Sequence, residues 1–406
     1  MNERRVAILG GGMLGACTAL ELARRGHRVT LIEGADRILQ GASRWNEGKI
    51  HLGFLYAADP GLATAARLIP GGLAFVDIVE RHIGQSLTSF ATDDDVFLVH
   101  RDSIVDADAF ATYAHRTADL VREAANGLGA GRYLANLASP GVHRLSASEL
   151  SELTSSREIV AGFRVPERSV STVPIADLLS SAVYGEPRID VRTGAWVAGA
   201  RRRADGRFDI LAGPHSGAEL DAFDVVVNAL WEGRLAVDAL LGIAPPESWS
   251  HRFRAAVFAD LPANGLRGAV VCTGPFGDIK RYADGRVYLS WYNAGLLVEG
   301  DRVEPPRSAS ALTRERRVKV LKETLDSLSS IFPGIREIAG AVNECDVHGG
   351  WVYAIGKGSL ADRASLLHRR DRFAVIVDRS YISVDTGKYS LAPWLAEQVT
   401  EIVLGH

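Results

Sequence analysis

The first patterned stretch of the chain is Val6-Ala7-Ile8-Leu9, four apolar residues with no polar alternation. A run this short and this apolar fits a strand buried on both faces in a parallel sheet. From Ala16 to Arg25 the apolar residues recur at helical spacing, with Arg24 and Arg25 in the last turn and Gly26 at the C-terminal cap. A second strand, Arg28–Ile32, follows and ends at Glu33. Much later, Gly277–Tyr282 and Arg286–Tyr292 flank Ala283-Asp284-Gly285, the signature of a hairpin. Its second strand places Val287, Leu289 and Trp291 on one face and Tyr288, Ser290 and Tyr292 on the other. Glu315–Leu328 reads as an amphipathic helix ended by Phe332-Pro333-Gly334. Leu391–Leu404 reads as a closing helix, with Ser390 as its N-cap and Pro393 in its first turn.

Between the first strand and the first helix lies Gly10-Gly11-Gly12-Met13-Leu14-Gly15, a G-x-G-x-x-G turn. Gly10 permits the tight turn, Gly12 leaves room for a pyrophosphate against the backbone, and Gly15 lets helix and strand approach. The phosphates then meet free N–H groups and the positive end of the following helix, with Met13 and Leu14 of the turn as candidate contacts. Glu33 follows Gly15 by 18 residues and is placed to accept two ribose hydroxyls while repelling a 2′-phosphate. Strand, glycines, helix, strand and acid in that order specify a dinucleotide site of Rossmann type.

The next segment distinguishes among dinucleotides. Ser43-Arg44-Trp45-Asn46-Glu47-Gly48-Lys49-Ile50-His51-Leu52-Gly53 resembles the D-amino acid oxidase superfamily of FAD enzymes, which includes glycine and sarcosine oxidases, glycerol-3-phosphate dehydrogenases and 2-hydroxyglutarate oxidases. With Tyr56 and Pro60-Gly61 it looks most like the hydroxyglutarate branch. The resemblance implies that Ser43, Arg44, Asn46, Gly48 and Lys49 contact the FAD phosphates or the flavin. Later blocks resemble the family too. Thr193–Val197 looks like the strand whose backbone meets the adenine, and Asp224–Ala229 like the strand that closes the nucleotide domain. Leu230-Trp231-Glu232-Gly233 stands where the family usually has a glycine soon after the alanine. Asp385–Pro393, with Gly387, Lys388, Tyr389 and Ser390, resembles the C-terminal flavin loop. The resemblance therefore implies an α/β fold: a discontinuous Rossmann-like FAD domain (1–90, 165–245, 345–406) and a substrate domain (91–164, 246–344) on a mixed, largely antiparallel sheet with helices. It implies FAD as cofactor. Cys345 falls near the position of covalent flavin attachment in sarcosine-oxidase-like proteins, but Trp351 is the closer match, so the flavin is expected to be non-covalent.

Composition narrows the partners. Net charge is −3, which gives no global basic field for nucleic acid. No apolar run approaches the roughly 20 residues of a membrane span. The start, Met1-Asn2-Glu3-Arg4-Arg5, lacks a signal peptide's apolar stretch, and the three cysteines are far apart, so a cytoplasmic location is expected. No metal cluster stands out. Twelve of the 41 glycines fall in residues 1–72, about twice the density of the remainder, which concentrates close backbone approaches at the cofactor end.

Candidate chemistry centres on His51, whose pKa range suits taking a proton from a substrate hydroxyl. Of 46 basic residues only six are lysines, yet Lys49, Lys280, Lys357 and Lys388 all sit in motif blocks. A compact point charge is not replaceable by Arg. Lys280 and Arg281, adjacent in a strand, face opposite ways, so one reaches the cavity. Arg281 is favoured for a substrate carboxylate, with Tyr292 as hydroxyl donor. His348, Tyr353 and Lys357 are further candidates. The expected partner is a small-molecule substrate, oxidised at a C–N or C–O bond, with oxygen, a quinone or a protein as electron acceptor. Two alternatives stay open here: a non-catalytic, chaperone-like protein of the same fold, and an NAD-dependent dehydrogenase.

Overall fold

The protein is described by a computed structural model covering residues 4–127, 133–135, 137, 140–213, 220–261, 266–306 and 310–405; Met1–Glu3 lie outside the described residues. Two sheets organise it. The first has six strands in the order Val375–Asp378, Tyr381–Val384, Val225–Asn228, Val6–Leu9, Val29–Ile32 and Ile189–Arg192. It is parallel except for the antiparallel edge strand Val375–Asp378. Val6–Leu9 sits near its middle and is wholly buried, as an unbroken apolar run requires. The helices Met13–Arg24, Ala63–Ile83, Thr172–Gly185 and Ala392–Gly405 pack together on one face around Leu22, Leu68, Leu179 and Val399. A three-stranded sheet of 197–202, 208–212 and 220–223 packs on the other.

The second sheet has nine strands and is antiparallel apart from the pairing of Ala269–Cys272 with Asp95–His100. Its longest strand, Trp249–Asp260, pairs with Val347–Ile355 on one side and with Leu296–Gly300 and Arg286–Trp291 on the other. Val347–Ile355 thus belongs by hydrogen bonding to this sheet, although the stretch 345–406 was assigned from sequence to the cofactor domain. The helix Arg314–Ser329 covers one face through Val320, Thr324 and Leu328. The predicted hairpin forms as Gly277–Arg281 and Arg286–Trp291, and Tyr292 leaves it to start a short helical turn.

A two-stranded pairing of Lys49–Ile50 with Arg168–Ser169 joins the flavin-like loop to the end of the strand Ile159–Val165 of the large sheet. It brings residues 47–54 to the seam between the two sheets.

Candidate active site

A cavity of about 410 Å³ runs along that seam. One end is made by the first strand–helix turn. At Gly10, φ is +98°, and a Cβ would sit 2.6 Å from the Ala229 carbonyl oxygen. At Gly15 a Cβ would lie 1.9 Å from the Gly10 oxygen, so helix and turn meet only because the residue is glycine. The helix begins at Met13, three residues before the predicted start, because Gly12 already has the extended backbone of a cap. Gly12 brings no side-chain cap and the first turn holds no acid, so the positive helix end is left to an anion. The Ser43 hydroxyl accepts the Met13 N–H at 2.8 Å. Glu33 accepts from the N–H groups of Gly11 and Ala35, both at 2.8 Å, and its carboxylate is thereby fixed in the wall. Trp196, Val197, Ala229, Leu230, Trp231 and Glu232 complete this end. Burial, reinforced by the nearby Glu33 charge, pushes the Glu232 carboxyl up to about 7. These residues fit FAD. The turn gives backbone room where a Cβ would clash, the helix end suits a pyrophosphate, and a fixed carboxylate suits ribose hydroxyls.

The other end is built from Asn46, Glu47, Lys49, His51, Arg254, Trp351, Gly387, Lys388 and Tyr389. Asn46 shapes its loop by accepting from the Gly48 N–H (2.7 Å) and donating to the Ala42 carbonyl (2.8 Å). His51 is 2% exposed, and its Nδ1 has no hydrogen-bond partner among the described residues. Burial drives its pKa well below the usual value, and the charges of Lys388, Lys49, Lys280 and Arg370 push the same way. The imidazole is therefore neutral near pH 7. Burial likewise brings Lys388 down to about 7, with help from Arg370, Arg252 and Arg254 and against the pull of Glu47.

Two arginines here have no counterpart in the sequence reading. Arg252 is 2% exposed; its Nη1 donates to the Tyr292 hydroxyl (3.1 Å), while Nε and Nη2 are buried without partners among the described residues. The Arg254 guanidinium lies 4.5 Å over the Tyr292 ring, and its Nε is also unpartnered. The available signal is two arginines two residues apart in one strand, which places both on one face. A third, Arg370, faces a smaller adjoining cavity with Tyr353. Burial and the neighbouring Arg252 lower its pKa to about 10.

Other predicted residues are placed differently. Lys280, not Arg281, turns inward: it is buried and donates to Asp95, whereas the Arg281 guanidinium approaches the Leu266 carbonyl at 3.5 Å. Alternation fixes that the pair diverges, and the buried Asp95 of the same sheet decides which one turns inward; neither lines the cavity. Lys49 is also paired to Asp95, with Glu167 3.7 Å away. Arg44 is turned to Asp177 (2.6 Å) and is not in the cavity wall. Lys357 is exposed and pairs with Asp301. Ser390 is not the helix cap, because a 3₁₀ turn, Tyr389–Leu391, precedes the helix; its hydroxyl lies 3.3 Å from the His51 N–H instead. Gly48 packs against the Val170 carbonyl behind the wall, and His348 stacks on Trp45 at 3.6 Å. Cys345 is exposed and not in the wall, while Trp351 is in it. Among the described residues no group of three His, Cys, Asp or Glu side chains is arranged for a metal ion, and no helix is long and apolar enough to cross a membrane.

Comparison with known proteins agrees with this geometry. The model of the FAD dependent oxidoreductase family matches residues 5–384. The structure is similar to the glycine oxidase of Geobacillus kaustophilus, with a TM-score of 0.67 and 16% identity over 99% of this chain and 95% of that one. It is also similar to the L-α-glycerophosphate oxidase of Mycoplasma pneumoniae with FAD bound, at a TM-score of 0.64 and 17% identity over 100% and 95%. In sequence, 77 residues are 38% identical to the FAD-dependent monooxygenase FPY4 of Fusarium mangiferae; the match covers 19% of this chain and 20% of the length of that relative.

Proposed function

The chain belongs to the family of FAD-dependent oxidoreductases, and on that premise we propose that it oxidises a small, anionic substrate at a C–N or C–O bond beside an acid group. FAD supplies the hydride acceptor when bound. The observation that carries the reading is the set of buried guanidinium N–H groups of Arg252 and Arg254 that lack acceptors. Buried guanidinium N–H groups without acceptors are costly, so a site holding them on two arginines, with Lys388 and Arg370 in electrostatic reach, calls for an anion from outside. Arg254 and Lys388 in the wall orient the substrate acid, and Tyr292 fixes the Arg252 fork behind them. Neutral His51 takes the proton from the substrate's ammonium or hydroxyl.

An amino acid is the first reading, because glycine oxidase shares the fold and Glu47 offers an anion in the same wall. A 2-hydroxy acid is the second, favoured by the unpartnered His51 Nδ1, since a hydroxyl requires a base more than an amine does. The six-stranded sheet would carry the cofactor and the nine-stranded sheet, Val347–Ile355 included, the substrate. Non-covalent attachment is supported by the place of Cys345 outside the wall.

The test is anaerobic bleaching of the flavin by glycine, sarcosine, L-proline, D- and L-alanine, lactate, 2-hydroxyglutarate and glycerol 3-phosphate, each beside its uncharged analogue. Reduction by an acid and not by its analogue supports the reading. Reduction by none of them returns the protein to a non-catalytic role. In His51→Ala, a large loss with the best acid supports the base, and a loss under about threefold removes it.

A further inference from the structure

The His51 loop is held from the far side by a carboxylate that the proposed chemistry does not use. Glu167 is wholly buried at the end of the strand Ile159–Val165 of the large sheet. Its Oε2 accepts from three successive backbone N–H groups, those of Leu52 (2.6 Å), Gly53 (3.0 Å) and Phe54 (3.4 Å). Converging N–H groups of this kind form a concavity for an anion, and here the anion is a side chain of the other sheet. The other oxygen, Oε1, faces Lys49 Nζ at 3.7 Å, and Lys49 shares Asp95 with Lys280. Asp95 and Lys280 belong to strands of the large sheet. The turn directly after His51 is thus tied through Glu167 and Lys49 to the sheet that carries Arg252 and Arg254. Two hydroxyls secure its flanks: Tyr133 donates to the Ile50 carbonyl and Tyr113 to the Gly53 carbonyl, both at 2.8 Å.

We propose that Glu167 is a positioning residue for His51: its carboxylate gathers the 52–54 turn so that the imidazole stands in fixed register with the arginines that hold the substrate acid. The geometry explains why an acid is buried here at all. A neutral acceptor would satisfy the N–H groups but leave the Lys49 ammonium with Asp95 alone, and Asp95 is already shared with Lys280. The proposal rests on the reading of His51 as base, and the two can fail separately.

The experiment is a double-mutant cycle on the FAD-loaded protein, using the most active acid of the bleaching screen. The variants are Glu167→Gln, which keeps the reach and loses the charge, Glu167→Asp, which keeps the charge and shortens the reach, His51→Ala, and each combined with His51→Ala. Both Glu167 variants are expected to bind the acid within about threefold of the parent, while the limiting rate of flavin reduction falls about tenfold or more. Amide hydrogen exchange at 52–54 is expected to speed up in both. In the His51→Ala background neither is expected to cost a further factor above about two, because its effect runs through His51. Equal losses in the two backgrounds, or an unchanged reduction rate with 52–54 deprotected, overturn the proposal. If Glu167→Gln does not fold, Glu167→Asp decides by the same cycle; if neither folds as an FAD-loaded protein, Glu167 is a folding residue and the proposal fails. A His51→Ala protein of parental rate instead overturns the base reading.

Discussion

Asp95→Asn tests whether the buried charge cluster is a structural unit. Asp95 receives hydrogen bonds from both Lys49 and Lys280, and all three side chains are at least 96% buried. Burial alone would raise its carboxyl. The attraction of Lys280 and Lys49 outweighs this and holds it below the usual carboxylate range. Asparagine keeps the shape but leaves two ammonium groups facing one distant carboxylate, Glu167, and Asp278. Removing one partner of a buried ion pair costs about 3–5 kcal/mol. Unfolding entropy is about 2.1 cal/mol/K per residue, or about 0.85 kcal/mol/K for 406 residues, so Tm should fall by about 4–6 °C.

The pH dependence has a definite sign. A carboxylate depressed in the folded state contributes stability above its unfolded pKa of about 3.9, and loses it as pH falls through the lower folded value. The deficit of the variant is therefore constant from about pH 5 to 8 and shrinks only in strong acid. Differential scanning calorimetry of the FAD-loaded proteins at several pH values reads both quantities. Adding Lys280→Met to Asp95→Asn should recover part of the loss, since one of the two stranded ammonium groups is gone. A Tm within 1 °C of the parent, or no recovery in the double variant, would refute the reasoning.

Other consequences follow from the cavity itself. Lys388, with a pKa near 7, loses its charge as pH rises through neutrality; kcat/KM for an anionic substrate should fall there, and Lys388→Arg, which stays charged, should flatten that limb of the pH profile. Gly15→Ala puts a Cβ 1.9 Å from the Gly10 oxygen, so the protein should purify without bound FAD, with at least a hundredfold weaker affinity in a flavin fluorescence titration. Cys345→Ser should leave flavin retention unchanged, and acid precipitation of parent and variant alike should release the yellow colour into the supernatant; colour retained in the parent pellet would contradict non-covalent binding.

The nucleotide end was legible in the sequence because its determinants are local. Gly10, Gly12, Gly15 and Glu33 lie within one strand–helix–strand unit, and each is required by a short-range approach that any backbone of that type imposes. The other end of the cavity is assembled from Lys49, Arg254 and Lys388, with Arg370 in the adjoining cavity, and these meet only after two sheets have formed. Spacing could show that Lys280 and Arg281 diverge, but the side that faces inward depends on Asp95, 185 residues away in the chain. The same holds for Ser390. Its residue type suits a cap, yet a 3₁₀ turn that packs beside the His51 loop moves the helix start past it.

The scarcity of lysine also takes on a sharper meaning when the buried cations are sorted by what balances them. Lys49 and Lys280 are held by Asp95, with Glu167 nearby, so their charges are spent inside the protein on joining the two sheets. Lys357 is spent on the surface, against Asp301. Among the described residues Arg252 and Arg254 keep buried N–H groups without acceptors, and the Lys388 ammonium lies 5.6 Å from the centroid of the Tyr56 ring. Since desolvating a cation is unfavourable in every case, the groups that the chain compensates with its own acids are those that hold the fold, and those it leaves uncompensated are the ones a ligand must satisfy. By that criterion the proposed substrate acid is expected against Arg254 and Lys388, with Arg252 behind them, and the cluster around Asp95 belongs to the scaffold.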